Sequence, residues 1–221
     1  MLILQLLNFV AMKITLLGAS GKIGSQLLDL ALKDGHDVVA YVRDSSKIKV
    51  SHPHLTTVEG ELNNIPRLKS VIENSEVVVS TLGPPLKRSY YMLPVYDGHK
   101  AVMSLMKWSG VKRFITIGTP SIKFREDKAS LTTTIPGLIA KFVYPKPYKE
   151  VISIGEVVQE SGLDWTVVRF IAPIDKETKP AKVTFGDKSV SFSISRKRIA
   201  EFLLHEIEDP HYIRSMPIIG S

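Results

Sequence analysis

Seven consecutive residues decide the fold of this chain: Gly18-Ala19-Ser20-Gly21-Lys22-Ile23-Gly24. The run from Met12 to Leu17 comes before them, and its apolar, β-branched residues are typical of a buried strand. From Lys22 to Lys33, apolar residues recur at helical spacing until Asp34-Gly35 ends the pattern. A second strand, His36 to Val42, follows at once. The sequence therefore predicts a complete strand–helix–strand unit at the start of an α/β fold.

The glycine turn inside this unit is suited to binding a diphosphate. Glycines let the backbone approach a phosphate closely, and the exposed amides at a helix start favour negative charge. In this context the spacing G-x-x-G-x-x-G predicts a dinucleotide site, the alternative being a tight turn that closes an ordinary α/β unit. The predicted cofactor-binding residues of the turn are Gly18, Ala19, Ser20, Gly21, Lys22, Ile23 and Gly24.

Composition limits the class of protein. The chain has 221 residues, enough for one domain with a sizeable core, and 44% of them are hydrophobic, as in ordinary globular proteins. It has no cysteine, which excludes disulfides and thiolate catalysis and is compatible with the cytoplasm. The net charge of +7 is spread among acidic residues with no recognition motif, so we expect a polyanionic cofactor rather than nucleic acid.

Residues 1–11 form an apolar leader whose role the sequence leaves open. The leader has no positive first region and is too short to span a bilayer, so we expect neither secretion nor membrane association. Met12 stands directly before the first strand. We therefore place the nucleotide-binding domain at residues 12–221.

Charged residues at the end of the second strand bear on the choice of cofactor. An acidic side chain near this point accepts the ribose hydroxyls of NAD, whereas an arginine accommodates the 2′-phosphate of NADP. Arg43 stands at that end and Lys47 one turn later, while Asp44 lies one position late for the acidic role. The sequence favours NADP(H) over NAD(H), the alternative being that Arg43 is a solvated loop residue.

Three segments give the chain a resemblance to a known family. The glycine turn with Ala19-Ser20, the strand Val111 to Pro120 and the segment Glu156 to Arg169 resemble the atypical short-chain dehydrogenases/reductases. Within that superfamily the third segment is similar to the NAD(P)H-binding members, which include NmrA-like proteins and biliverdin-reductase-B-type flavin reductases. The resemblance runs from Met12 to about Ile213 and implies a Rossmann-like fold with a nicotinamide cofactor.

The resemblance also implies further cofactor contacts. The segment Glu59 to Asn63 is similar to the family's G-D-L-x-D, whose residues after the glycine lie along the adenine. The end of the fourth strand would face the cofactor with its backbone, and Phe170 to Pro173 would form the wall near the nicotinamide amide. The residues so implied are Glu61, Leu62, Leu82, Gly83, Ala172 and Pro173.

Two residues are candidates for the reaction itself. Thr119 falls where atypical members carry a serine near the nicotinamide, and its hydroxyl either bonds substrate or cofactor or merely caps the strand end. Tyr148 falls near the family's catalytic tyrosine, but Ile152 stands in place of the lysine that would lower its pKa. The Tyr96–Lys100 match to Tyr-x-x-x-Lys precedes the fifth strand instead of following it, so we expect no catalytic role there.

The stretch from Ser121 to Pro147 is too long for a simple crossover. Insertions near the carboxyl ends of parallel strands often cover a ligand, so we predict a substrate lid at about residues 121–147 with a short helix over Ile135 to Val143. A surface excursion or a dimer contact is the alternative.

These observations predict one domain with a doubly wound parallel sheet in the order 3-2-1-4-5-6, and a hairpin over Lys182 to Ile194 as the source of a seventh strand.

The predicted function is NADPH-dependent reduction of a planar acceptor such as a flavin or quinone, by a monomer or homodimer. The competing function is an NmrA-like redox sensor that acts through a protein partner. Sugar-nucleotide epimerisation is disfavoured because the acid/base pair is missing. We predict no metal site, with His99, His205 and His211 at the surface or at helix ends.

Overall fold

A computed structural model describes residues 10–221, apart from the side chains of residues 131–134. Within this range the chain forms ten strands and six α-helices. In chain order the elements are β1 (Lys13–Leu17), α1 (Gly24–Lys33), β2 (Asp37–Val42), a 3-10 helix (Ser45–Lys47), β3 (Leu55–Glu59), α2 (Ile65–Ile72), β4 (Val77–Ser80), α3 (Pro94–Ser109), β5 (Arg113–Gly118), α4 (Leu131–Val143), α5 (Pro145–Gln159), β6 (Asp164–Arg169), β7 (Ala172–Ile174), β8 (Lys182–Thr184), β9 (Ser193–Ser195), α6 (Arg196–Glu208) and β10 (Ile218–Gly220).

Eight of the strands form one sheet in the order β3-β2-β1-β4-β5-β6-β10-β8. Neighbouring strands are parallel from β3 to β10, and β8 joins the far edge antiparallel to β10. The first six strands confirm the predicted order and the doubly wound α/β class. Because the chain winds in opposite directions from β1, the carboxyl ends of β1 and β4 diverge into a crevice where ligands bind in this class of fold.

Helices cover both faces of the sheet. On one face, Leu28 of α1 and Leu203 of α6 belong to the same buried cluster. On the other face, Leu68 of α2, Met106 of α3 and Val158 of α5 belong to a second cluster. Each of these five helices buries one apolar stripe at helical spacing, which is why the sequence pattern alone located most of them.

The structure corrects the local boundaries of one prediction. The helix predicted from Lys22 begins at Gly24, because the residues from Gly18 to Ile23 are used by the turn. The turn is closed by a bond of 2.9 Å from the amide of Gly21 to the carbonyl of Gly18.

The predicted hairpin is wrong. β8 and β9 do not pair with each other: β8 pairs with β10, while β9 runs parallel to β7 in a separate two-stranded sheet. Alternation of apolar and polar residues predicts that strands form, but it does not determine which strand each one joins.

The structure describes the backbone of the insertion and the last two residues of the leader. The insertion holds α4, which begins earlier than the predicted helix, and α5 starts before the insertion ends. The leader at residues 1–11 lies outside the described residues except for Val10 and Ala11, which are both exposed. None of the helices in residues 10–221 is long and apolar enough to cross a membrane.

Candidate functional site

The glycine turn after β1 depends on two glycines for its shape. Gly18 has a positive φ of 84°, a conformation that L residues with a side chain rarely adopt. Gly24 faces Gly18 so closely that a Cβ atom there would lie 2.2 Å from the Gly18 carbonyl oxygen. The first glycine therefore allows the sharp turn, and the last allows α1 to start directly against β1.

The start of α1 has no side-chain cap, although the Ser25 amide donates to the Gly21 carbonyl at 2.8 Å. Its N-cap is Ile23, no side chain caps the first turn, and no acidic residue stands in that turn. The first amides of a helix have no partner within the helix and carry a partial positive charge. With Ser20 and Gly21 exposed beside them, these amides are suited to holding a diphosphate.

Residues after β4 close the turn from the neighbouring strand. The Thr81 hydroxyl lies within hydrogen-bond distance of the carbonyls of Leu17 (3.1 Å) and Gly18 (3.2 Å). The side chain of Leu82 packs against Gly18, whereas a Cβ added to Gly83 would meet no atom within 4 Å. The structure thus places Leu82 and Gly83 at the crevice, and no described residue of the protein requires a glycine at position 83. Thr81 is a residue that the sequence analysis missed.

Arg43 is the available cation at the end of β2. Its exposed side chain forms no hydrogen bond or ion pair with residues 10–221. Asp44 is engaged locally, because it accepts from the Ser46 amide at 3.1 Å and hydroxyl at 2.6 Å, and these bonds, led by the hydroxyl, lower its pKa. Lys47 lies 3.7 Å from the Asp44 carboxylate. Asp44 therefore caps the 3-10 helix, and Arg43 faces solvent.

The turn after β3 is anchored by Tyr41, a residue that the sequence analysis did not select. The Tyr41 hydroxyl donates to the Glu61 carbonyl at 2.8 Å, and Gly60 lies against the Tyr41 ring. Leu62 packs on Gly98 of α3, so its position is fixed by the core side of the turn. The Glu61 side chain is exposed at the same edge as Arg43.

An ion-pair bridge joins the glycine turn to the segment after β7. The Asp175 carboxylate contacts Lys22 at 3.0 Å and Arg196 at 2.6 Å, and these contacts, led by the Lys22 bond, lower its pKa. Ala172 and Pro173, just before it in β7, are half-buried at this edge. The structure therefore brings the predicted wall residues close to the glycine turn, and Asp175 is the residue that does so.

The two candidate residues for the reaction lie on different elements. Thr119 follows β5 and is half-buried, and its hydroxyl has no hydrogen-bond partner among residues 10–221. Tyr148 is half-buried in the first turns of α5, with Ile152 one turn later on the same helix. Lys100 lies over the Tyr96 ring, 5.4 Å from its centre. The described residues thus provide no lysine one turn after Tyr148.

A buried carboxylate ties α5 to the start of α3. Glu150 is fully buried and accepts hydrogen bonds from the amides of Val95 (2.6 Å) and Tyr96 (2.9 Å). It also accepts from the Tyr90 hydroxyl at 2.5 Å, and burial together with this bond raises the pKa of Tyr90. Glu150 therefore fixes the loop after β4, the first turn of α3 and the helix that carries Tyr148. No local sequence signal distinguishes it from a surface glutamate.

The histidines differ from the prediction in one respect. His99 is fully buried, not at the surface: its Nδ1 donates to the Val95 carbonyl at 2.7 Å, and its Nε2 lies 3.2 Å from the Thr116 hydroxyl. Burial lowers the pKa of His99. His205 and His211 are exposed, as predicted.

Comparisons with known proteins agree with this fold. Residues 18–210 match the family model described as NAD(P)H-binding. An isoflavone reductase homolog, P3, from Arabidopsis thaliana is 23% identical over 92% of this chain and 67% of that protein. A short-chain dehydrogenase/reductase from Veillonella parvula, solved with NADP, has a TM-score of 0.78 at 17% identity and covers 96% of this chain and 95% of that one. The anaerobillin reductase ChuY from Escherichia coli O157:H7 has a TM-score of 0.76 at 19% identity, covering 94% and 96%.

Fold and site together define a Rossmann-like nucleotide-binding protein. The chain belongs to the NAD(P)H-binding family, its cofactor is NAD(P)H, and its class is that of NAD(P)H-dependent oxidoreductases. These findings confirm the predicted family, fold, cofactor class and enzyme class. The roles of the individual site residues stay predictions.

Proposed function

We propose that this protein uses NADPH to reduce a planar small-molecule acceptor of the flavin or quinone type. The observation that carries this proposal is the absence, among residues 10–221, of a lysine one turn after Tyr148 on α5. A carbonyl reductase of this type needs a tyrosine as proton donor and a lysine that lowers the pKa of the tyrosine, whereas a ring that stacks on the cofactor and takes its proton from water needs mainly positioning.

The residues at the carboxyl edge fit the cofactor's chemical groups. The amides at the uncapped start of α1 would hold the diphosphate, and Arg43 would pair with the 2′-phosphate of the ribose. Glu61 and Leu62 would lie along the adenine, Leu82 and Gly83 along the crevice, and Ala172 with Pro173 beside the nicotinamide. Lys47 would contribute long-range attraction.

The protein's own part in the reaction is to orient and to exclude water. When bound, the cofactor supplies a hydride. The free Thr119 hydroxyl would hydrogen-bond the acceptor or the nicotinamide amide and set the angle between the two rings. Tyr148 would serve as a hydrogen-bond donor to the acceptor without a cationic partner. The proton would come from water.

Helix α4 is suited to contact an apolar acceptor. Gly137 lies close to Ser121, which follows Thr119 within two residues, so α4 adjoins the end of β5. One side of the helix exposes five large apolar residues, Ile135, Leu138, Ile139, Phe142 and Val143. We propose that α4 closes over the bound acceptor. The names of the compared proteins, a reductase homolog and a reductase, also favour reduction.

A redox sensor is the second candidate, and the same α4 face favours it. An exposed apolar surface of this kind also serves as a contact for a protein partner. A sensor would bind NADPH through the same amides without turnover.

Turnover with a panel of flavin mononucleotide and quinones, followed by the loss of NADPH absorbance, separates the two candidates. A reductase oxidises NADPH in the presence of at least one acceptor; tight NADPH binding with no turnover across the panel would leave the sensor. In an active protein, Thr119→Val should lower kcat by about tenfold, since it removes one oriented hydrogen bond worth roughly 1–1.5 kcal/mol. Tyr148→Phe should change kcat less than threefold, about 0.6 kcal/mol, because no lysine is present to lower the pKa of Tyr148.

A further inference from the structure

Three exposed metal-ligating side chains meet at the end of α6. His205 lies in the last turn of the helix, Asp209 caps it, and His211 follows in the loop that leads to β10. One ligand atom from each residue can be chosen so that all three lie within 4.8 Å of one another. We call these residues the α6 cluster. The chain spacing H-x-x-x-D-x-H did not predict this meeting, because it depends on the loop folding back over the helix end.

A buried carboxylate holds the loop in this fold-back. Glu206 is fully buried, and its two carboxylate oxygens accept from the amides of His211 and Tyr212, each at 3.2 Å. Arg113 lies 3.3 Å from the same carboxylate. Because Glu206 stands on α6 itself, the helix and the loop carrying His211 are fixed relative to each other before any ion arrives.

The two histidine rings of the cluster lie close together. The His205 and His211 rings stack with their centres 5.3 Å apart and their planes at 27°. Nδ1 of His211 lies 2.8 Å from the Asp209 carbonyl, an acceptor, so Nδ1 carries a proton and Nε2 is the ring nitrogen left to bind an ion. A histidine that binds a metal commonly donates its other ring N–H to a backbone carbonyl in this way.

The local charge favours a cation. The last carbonyls of a helix carry a partial negative charge, and Asp209 adds a full one at the same end. The Asp209 carboxylate and the His211 ring are more than half exposed, at 69% and 57% of their side chains. In a tetrahedral zinc site with bonds of about 2.0–2.1 Å, ligand atoms lie roughly 3.4 Å apart. An ion would draw the three ligand atoms from within 4.8 Å to that separation, which exposed side chains reach by rotation.

We propose that the α6 cluster is a site for a divalent transition-metal ion of the zinc type, with the side chains of His205, Asp209 and His211 as ligands and water completing the shell. Two imidazoles and a carboxylate suit zinc among the common ions. His205 stands about 14 Å along α6 from Arg196, which contacts the cofactor edge through Asp175. The ion would therefore tie the last helix to the loop before β10 and take no part in hydride transfer.

Titration of the full chain with zinc chloride by calorimetry tests this site, with the metal alone as the probe. We expect one equivalent of zinc to bind and the melting temperature to rise with zinc concentration. His205→Ala and His211→Ala should each lower the affinity by at least about tenfold, since each removes one of three ligands. Both positions are exposed, so we expect the variants to fold, and their melting temperatures without metal check this.

The chain offers a matched control in its other exposed histidine pair. His52 and His54 lie with their ring centres 5.5 Å apart, and His54 contacts Asp37 at 2.7 Å, yet no group of three ligand atoms there meets the same distance limit. The double variant His52→Ala/His54→Ala should bind zinc like the wild type. The site is overturned if the wild type takes up no zinc at about 100 μM, if the His205 and His211 variants bind as tightly as the wild type, or if the control variant loses the binding.

Discussion

At the scale of single residues, the site depends on two features: which charged side chains have no partner in the described chain, and at which glycines an added methyl group would meet no described atom. Asp44 caps the 3-10 helix and forms an ion pair with Lys47, while Arg43 extends from the same loop without a partner in the described chain. Around the glycine turn, Gly24 is required by the fold, whereas Gly83 stands beside open space. These differences let single substitutions separate cofactor binding from folding.

Arg43→Glu should weaken NADPH binding by roughly 10- to 100-fold while changing NADH affinity little, since a charged hydrogen bond to the 2′-phosphate is worth about 1.5–3 kcal/mol. Fluorescence titration with both cofactors measures the two affinities. Lys49→Glu makes the same charge change six residues away, where Lys49 is exposed, and should affect both cofactors slightly and equally. Equal losses for NADPH and NADH in the Arg43 variant would contradict the proposed role.

Gly83→Ala should leave the melting temperature unchanged and lower NADPH affinity by about tenfold, or roughly 1.4 kcal/mol. The added methyl group meets no protein atom, so any loss of affinity reports the approach of the cofactor to the backbone. Gly24→Ala is the contrasting variant: its Cβ would collide with the Gly18 carbonyl and should cost about 1–3 kcal/mol of unfolding free energy. Unaltered NADPH binding by the Gly83 variant would remove that residue from the site.

At the scale of elements, the edge of the sheet is held together by carboxylates that reach across from other elements. Asp175 joins the glycine turn to the start of α6, and Glu150 joins α5 to the first turn of α3. The loops that would contact cofactor and acceptor are therefore fixed by long-range polar contacts, while α4 exposes its apolar side.

Glu150→Ala should destabilise the protein by about 3 kcal/mol or more, because it leaves two buried amides and the Tyr90 hydroxyl without an acceptor. Glu150→Gln keeps one carbonyl oxygen as an acceptor and should lose less. Urea denaturation measures both. Glu156→Gln, on an exposed position of the same helix, should stay within about 0.5 kcal/mol of the wild type. A Glu150→Ala variant as stable as this control would show that the buried carboxylate contributes nothing net.

At the scale of the whole molecule, the two helical layers enclose His99 between α3 and the sheet, where a charged ring would have no water. Burial lowers the pKa of His99, so the folded protein keeps this ring neutral under conditions in which the unfolded chain takes up a proton. His211, at the surface, has a raised pKa because of its bond to the Asp209 carbonyl and the Asp209 charge. The two histidines therefore affect stability with opposite signs.

For His99 the stabilisation is present above the pKa of the unfolded chain, about 6.5, and is lost as the pH falls below it. The unfolding free energy should decrease between pH 6.5 and pH 5 with a slope of up to about 1.4 kcal/mol per pH unit. In His99→Gln this slope should be smaller, since no proton is taken up at that position on unfolding. Denaturant titrations of both proteins across this pH range measure the two slopes. Because His211 is present in both proteins, its contribution cancels in the difference between the slopes. Identical slopes would contradict the assignment of this pH dependence to His99.

Local sequence determined the parts of this protein whose residues are neighbours along the chain. The run from Met12 to Gly24 fixed a strand, a glycine turn and a helix, because hydrophobic periodicity and the steric freedom of glycine act over one or two turns. Continuous apolar runs placed the buried strands, and Arg43 followed from its position after the second one. The family and the cofactor class follow from these local patterns.

Only the tertiary structure decided which distant groups meet. The pairing of β8 with β10, the Asp175 bridge, the buried Glu150 and the α6 cluster join residues that no periodicity connects. These contacts depend on the path of the whole chain. A carboxylate is buried where unpaired amides need an acceptor, and the residues next to it in the sequence do not indicate where those amides lie.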